Sequence, residues 1–125
     1  MKPHGDTTVT VEGIVVRSKP RYSSNPEGIK NNWEQILKGA SGLDRWILWA
    51  DTDESFALTP EALEKVESFA ASLKEHRCIA LIFTVSNPIM PFYISKIKAV
   101  IGIPFFSSES GEEIKDFITQ ISTKN

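Results

Sequence analysis

The chain has little of what most catalytic and metal-binding motifs are built from. Among 125 residues there is one cysteine, Cys78, and two histidines, His4 and His76. A single cysteine excludes an intramolecular disulfide and fits a reducing compartment. Two histidines so far apart support no Ser-His-Asp or Cys-His arrangement. His76 and Cys78 flank one position, but two ligands make no zinc site. They read as a helix-end histidine and a buried thiol. The seven glycines are scattered, so no phosphate-cradling loop is present. Apolar runs are short. The longest, 78–85, is interrupted by Thr84 and falls far below the roughly 20 residues of a spanning helix. Neither charge sign is in large excess, with 14 Lys and Arg against 16 Asp and Glu for a net charge of -2. That balance argues against a nucleic-acid partner, which a basic face would announce. Residues 1–6 are polar and lead into no apolar run, so no secretory signal is expected. No repeat, low-complexity tract or linker is visible. The expectation is one domain over 1–125 with an ordered core at about 7–122. It is expected to be cytoplasmic, with no transmembrane segment, cofactor or metal.

What is present is the material of an ordinary globular core: 41% hydrophobic and 24% charged residues. A chain of this length buries roughly two thirds of its unfolded surface. Residues 7–11 alternate, with Val9 and Val11 on one face, as a half-buried strand does. Glu12-Gly13 offers a tight turn into Ile14-Val15-Val16, predicting a hairpin, with one bulged strand as the alternative. Residues 17–25, with Pro20 and three polar residues at the end, read as a loop. Ser24 and Glu27 have capping-box spacing ahead of a helix over 26–38, whose apolar face is Ile29, Trp33, Ile36 and Leu37. Gly39 marks its stop.

Trp46 to Ala50 is apolar on both faces, as in a central strand. Thr59, Pro60 and the Leu58–Leu63 staple open a second helix with a stripe at Leu63, Val66, Ala70 and Leu73. Cys78 to Phe83 has no polar residue beyond the thiol and reads as a strand buried on both faces. Strand, helix, strand implies a right-handed parallel crossover. Asn87 and Pro88 open a third helix, with Tyr93, Ile97, Val100 and Ile101 on its buried side. Residues 103–106 form a last strand at an edge, because Pro104 cannot donate. Ser110 and Glu113 cap a C-terminal helix with Ile114, Phe117, Ile118 and Ile121 inward. The predicted order is ββαβαβαβα: an α/β fold with a mixed, mainly parallel sheet and packed helices.

Three stretches then resemble a known superfamily: Asn25-Pro26-Glu27-Gly28-Ile29, Arg45-Trp46-Ile47-Leu48-Trp49-Ala50-Asp51, and Leu58-Thr59-Pro60-Glu61-Ala62-Leu63. Ile79-Ala80-Leu81-Ile82 and Ile103-Pro104-Phe105-Phe106-Ser107-Ser108 follow. Over about 7–121 the chain resembles the small SpoIIAA-like proteins, related to STAS domains and to the CRAL-TRIO lipid-binding domains. The resemblance implies a STAS-like fold. It also implies a partner-binding switch, in some members phosphorylated on a serine in the turn entering the helix after the central strand. Here Pro60 or Glu61 stands at that place. Thr59 is the only hydroxyl nearby, and its capping role accounts for it.

Two regions carry candidate sites. Asp51 and Asp53 follow the central strand with the spacing of a phosphatase nucleophile and its acid/base partner, a chemistry that would also need Mg²⁺ and a phosphate clamp. A solvated strand-end loop is the plainer reading, and no catalytic residue is assigned. The segment 87–98 is the other. Its helix start faces the end of the sheet that α/β folds use for ligands. Asn87, Met90, Phe92, Tyr93 and Lys96 offer soft apolar surface beside positive charge. This predicts a non-catalytic binding or regulatory module with an unidentified protein partner, a homodimer being one form. The alternative is a carrier or sensor of a small apolar or lipid-like ligand. An Mg²⁺-dependent phosphatase on Asp51 and Asp53 comes third.

Overall fold

The two-residue period at the N-terminus produces an antiparallel hairpin of β1 (Asp6–Glu12) and β2 (Val15–Arg21), closed at Gly13 and Ile14. Gly13 takes a φ of +59°, which a residue without Cβ adopts at little cost. The computed structural model describes residues 6–123. His4 and the rest of the polar start lie outside the described residues.

β2 corrects the expected loop at 17–25. The strand runs on through Pro20 to Arg21 and is followed by the short β3 (Ser23–Ser24). A proline is admitted because β2 outruns one neighbour. Its pairing with β4 (Trp46–Ala50) covers only Val15 to Ser18, so at Pro20 a strand lies on the β1 side alone. Locally this is an edge, where a missing N–H costs no ladder bond.

Helix α1 (Pro26–Ala40) is capped one residue later than Ser24 predicts. Asn25 Oδ1 accepts from the Gly28 N–H at 2.8 Å, because Pro26 occupies the first helical position. The helix also passes the expected stop at Gly39. A Cβ there would lie 3.2 Å from Val11 Cγ2, so this glycine serves close approach of α1 to β1 rather than termination. Thr59 caps α2 (Pro60–Ser72) as the sequence predicts, accepting from the Ala62 N–H at 3.1 Å. A 3₁₀ turn (Leu73–His76) then leads into β6 (Cys78–Thr84). Helix α3 spans Met90–Lys98, β7 spans Phe105–Ser108 and α4 spans Gly111–Ser122. Ser110 Oγ caps α4 at the Glu113 N–H. Helix α3 stops before Val100, which is exposed rather than buried. The edge strand starts one residue past Pro104, whose carbonyl still accepts from the Leu81 N–H at 3.0 Å.

The five-stranded sheet has the order β1-β2-β4-β6-β7, antiparallel only at β1/β2, with β4 at its centre. A second, two-stranded parallel pair joins β3 to β5 (Ala57–Leu58). Side-chain alternation divides the core. Val16, Trp46, Leu48, Leu81 and Phe83 face α1, α2 and α3, whereas Ile47, Trp49, Ala80 and Ile82 face α4 with Ile114 and Phe117. A register shift after Trp46 pairs Ile47 with Ala80 rather than Ile79. That one-residue bulge keeps Cys78 and Leu81 on the same face. No helix among the described residues is long and apolar enough to cross a membrane.

Cys78 is 3% exposed, and burial pushes its thiol from the ordinary 9.0 up to about 11. Folding therefore favours the protonated thiol. That contribution is fully present below pH 9.0 and is lost as the pH rises towards about 11. The native chain is expected to stay inert to a disulfide reagent at pH 8, while the urea-unfolded chain reacts at once. Fast reaction of the native chain would show that the start of β6 opens readily.

Candidate functional site

The parallel strands β2, β4, β6 and β7 all end on one side, and the sequence candidates gather there. Asp51 continues β4, its N–H donating to Ser18 O at 2.7 Å. Its carboxylate is fully engaged. Oδ2 accepts from Arg17 Nε at 2.9 Å and Nη2 at 2.6 Å, and Oδ1 accepts from Thr84 Oγ1 at 2.9 Å. Thr84 Oγ1 in turn accepts from Trp49 Nε1 at 2.9 Å. The Arg17 guanidinium lies 3.9 Å from the Trp49 ring centroid, closing the network. An aspartate held this way is an anchor for a cation on the α4 face, not a free nucleophile.

Asp53 points elsewhere. Its Oδ1 accepts from the Ser55 N–H at 2.9 Å and from Ser55 Oγ at 2.5 Å, with Arg21 Nε 3.7 Å from Oδ2. The Ser55 hydroxyl's hydrogen bond holds the carboxyl below its ordinary range. The two carboxylates thus have separate partners. No group of three or more His, Cys, Asp or Glu side chains that could hold a metal occurs among the described residues.

Between them lies Thr52, 4% exposed, a residue the sequence reading passed over. Its hydroxyl donates to Thr84 O at 2.9 Å and lies 2.6 Å from Ser86 Oγ. Ser86 Oγ donates to Asp53 O at 2.7 Å. Thr52, Thr84 and Ser86 knit the ends of β4 and β6 through hydroxyls. Their spacing gives no local signal, because the partners are more than thirty residues apart in sequence.

The candidates at 87–98 separate into two groups. Asn87 is a clamp rather than a helix cap. Its Nδ2 donates to Phe56 O at 2.9 Å and Glu54 O at 3.3 Å, and its Oδ1 accepts from the Ile89 N–H at 3.1 Å. Met90 and Tyr93 are core residues. Met90 is inaccessible, and the Tyr93 hydroxyl accepts from the Leu58 N–H at 2.9 Å. Phe92 and Lys96 are exposed, with Lys96 Nζ 5.7 Å from the Phe92 ring centroid. Thr59 stands apart at the start of α2, its hydroxyl occupied by capping.

Tyr22, between β2 and β3, joins Phe92 at this end. It has φ +64°, uncommon for a bulky residue, and is 62% exposed. Its N–H donates to Ser55 Oγ at 2.9 Å and its carbonyl accepts from the Ala57 N–H at 3.3 Å. The loop that Asn87 clamps is therefore the one that holds Tyr22.

A cavity of about 70 Å³ lies elsewhere, on the opposite face of the sheet from Asp51, beneath α1 and α2. Its walls are apolar apart from Ser18, Asn32 and Tyr93. An open groove at the far end of α1 contains His76, whose ring meets Trp33 edge-on.

Comparison with known proteins found no matching family model, no matching curated protein and no matching solved structure.

Proposed function

We propose that the chain is a non-catalytic binding module that docks a protein partner at the C-terminal end of its sheet. Tyr22 carries this reading. A left-handed backbone costs an ordinary residue roughly 1 kcal/mol or more, and an exposed side chain gains little packing in return. At the same end of the sheet stand Ile89 at 44% and Phe92 at 51% exposure. Water-facing apolar groups on a rigid, hydrogen-bonded frame suit an apolar protein surface. The order of elements supports the SpoIIAA-like, STAS-like reading, in which partner binding is the common role. A phosphoserine switch is not part of the proposal, because Pro60 and Glu61 stand at that turn.

Tyr22→Gly separates function from stability. Glycine adopts positive φ freely, so the variant is expected to match the wild type in urea unfolding or to exceed it by up to about 1 kcal/mol. It is also expected to lose the co-purifying partner. Phe92→Asp is expected to lose the same partner, while Val100→Asp, at the other end of α3, retains it. A partner held equally by all three variants, or none in gently prepared native complexes, overturns the reading. A doubled mass that Phe92→Asp abolishes would identify the partner as a second copy.

A further inference from the structure

We infer that the cavity beneath α1 and α2 is a separate binding site for a small, uncharged, mainly apolar molecule with one hydrogen-bond acceptor. This goes beyond the docking surface, since none of Tyr22, Ile89 and Phe92 lines the cavity.

The shape of the site follows from the sequence. β2 and β4 contribute small or rigid residues to this face, namely Ser18, Pro20 and Ala50, and α2 contributes Ala70. Larger residues at these positions would fill the space. On the outer side Trp33 of α1 and Phe69 of α2 stack with ring centroids 4.8 Å apart and 5° between planes. Both are only half-buried and both line the cavity, so this stack is part of the wall nearest solvent.

Charge is excluded by the lining. Among the described residues no Asp, Glu, Lys, Arg or His side chain reaches the cavity, and the hydroxyl of Tyr93 is held at Leu58. An ion inside would have no counter-charge to offset its desolvation. A ligand with an anionic head group does not fit this site.

One polar handle remains. Ser18 is 1% exposed, and its hydroxyl donates to Asn32 Oδ1 at 2.9 Å. That contact fixes the Asn32 amide at the cavity, and its Nδ2 has no hydrogen-bond partner among the described residues. An unpartnered amide N–H₂ on a residue of an otherwise mainly apolar lining selects a carbonyl, ether or hydroxyl oxygen. The volume sets the size. Water needs about 10–15 Å³ by this kind of measure, and a cavity of about 150 Å³ takes up benzene. At about 70 Å³, roughly half of that, the site suits a molecule of about four heavy atoms, and neither a six-atom ring nor an acyl chain fits.

The test is titration of the full chain, labelled at its methyl groups, with acetone. Saturable shifts are expected at Ile29, Val66 and Leu81. Acetate, with as many heavy atoms but a charge, is expected to give none. Asn32→Ala is expected to weaken acetone about five-fold, the value of one ordinary hydrogen bond. Ala70→Leu fills the cavity and is expected to abolish the shifts. If that variant does not fold, Val66→Phe at the half-buried wall makes the same test. Absence of saturable shifts overturns the site, as does binding that survives the filled cavity. Equal binding of the carboxylate overturns the uncharged class, and an unchanged Asn32→Ala affinity overturns the acceptor.

Discussion

Trp46→Ala is expected to destabilise the domain by about 3–5 kcal/mol, the range for truncating a fully buried large aromatic. Trp46 is 1% exposed at the start of the central strand, and its Nε1 donates to His76 O at 2.7 Å. One side chain therefore fills the core below α1 and α2 and ties β4 to the 3₁₀ turn that feeds β6. Against a total stability of about 5–15 kcal/mol, such a loss leaves the chain close to unfolding at 37 °C. Urea or thermal unfolding measures it. Trp46→Phe should recover most of the packing but not the hydrogen bond, and so lie between. A loss under about 1 kcal/mol from the alanine variant would mean that the indole is not held as described.

The second large effect concerns Asp51. Asp51→Ala removes the acceptor for two Arg17 nitrogens and for Thr84, and leaves Arg17 over Trp49 without its counter-charge. The pair is about a quarter and a fifth exposed, so solvent reduces the penalty below that of a fully buried ion pair. The expected loss is about 1–3 kcal/mol. Asp51→Asn keeps an oxygen for Thr84 and should lose less. A double-mutant cycle with Arg17→Met isolates the pair, and a favourable coupling is expected to shrink as salt is added. An unchanged stability in Asp51→Ala would remove the structural account of this carboxylate and return it to the list of groups free for chemistry.

These two residues show what the sequence could and could not reveal. Trp46 lies in an uninterrupted apolar run, and periodicity alone placed it in a buried strand. Thr59-Pro60 and Ser110 announced their helices because capping is a local interaction. Asp51 was visible as a strand-end carboxylate, but its partner Arg17 was read as the first residue of a loop. Only the pairing of β2 with β4 brings them together, and no local pattern encodes which strands pair. Pro20 misled for the same reason: it forbids a strand only where a neighbouring strand needs its N–H. At 87–98 the helical period was recognised, but Asn87 and Pro88 suggested too early a start. Asn87 spends its amide on Phe56 and Glu54 instead, a contact across more than thirty residues. Tyr22 and the cavity left no trace. A left-handed tyrosine is set by the β3–β5 pair, and a void is set by what elements from β2 to α3 together fail to fill.

The sequential strand order has a consequence for synthesis. Each strand after the first pairs with the one before it in the main sheet, so the sheet can grow as the chain emerges from the ribosome. The layer over Ile47, Ile82 and Phe106 comes last, because α4 begins at Gly111. Until α4 emerges, the nascent domain carries one bare, β-rich apolar face. Helix α4 is thus a built-in cover, and a chain cut short before it would be far more prone to aggregate than its small loss of length suggests.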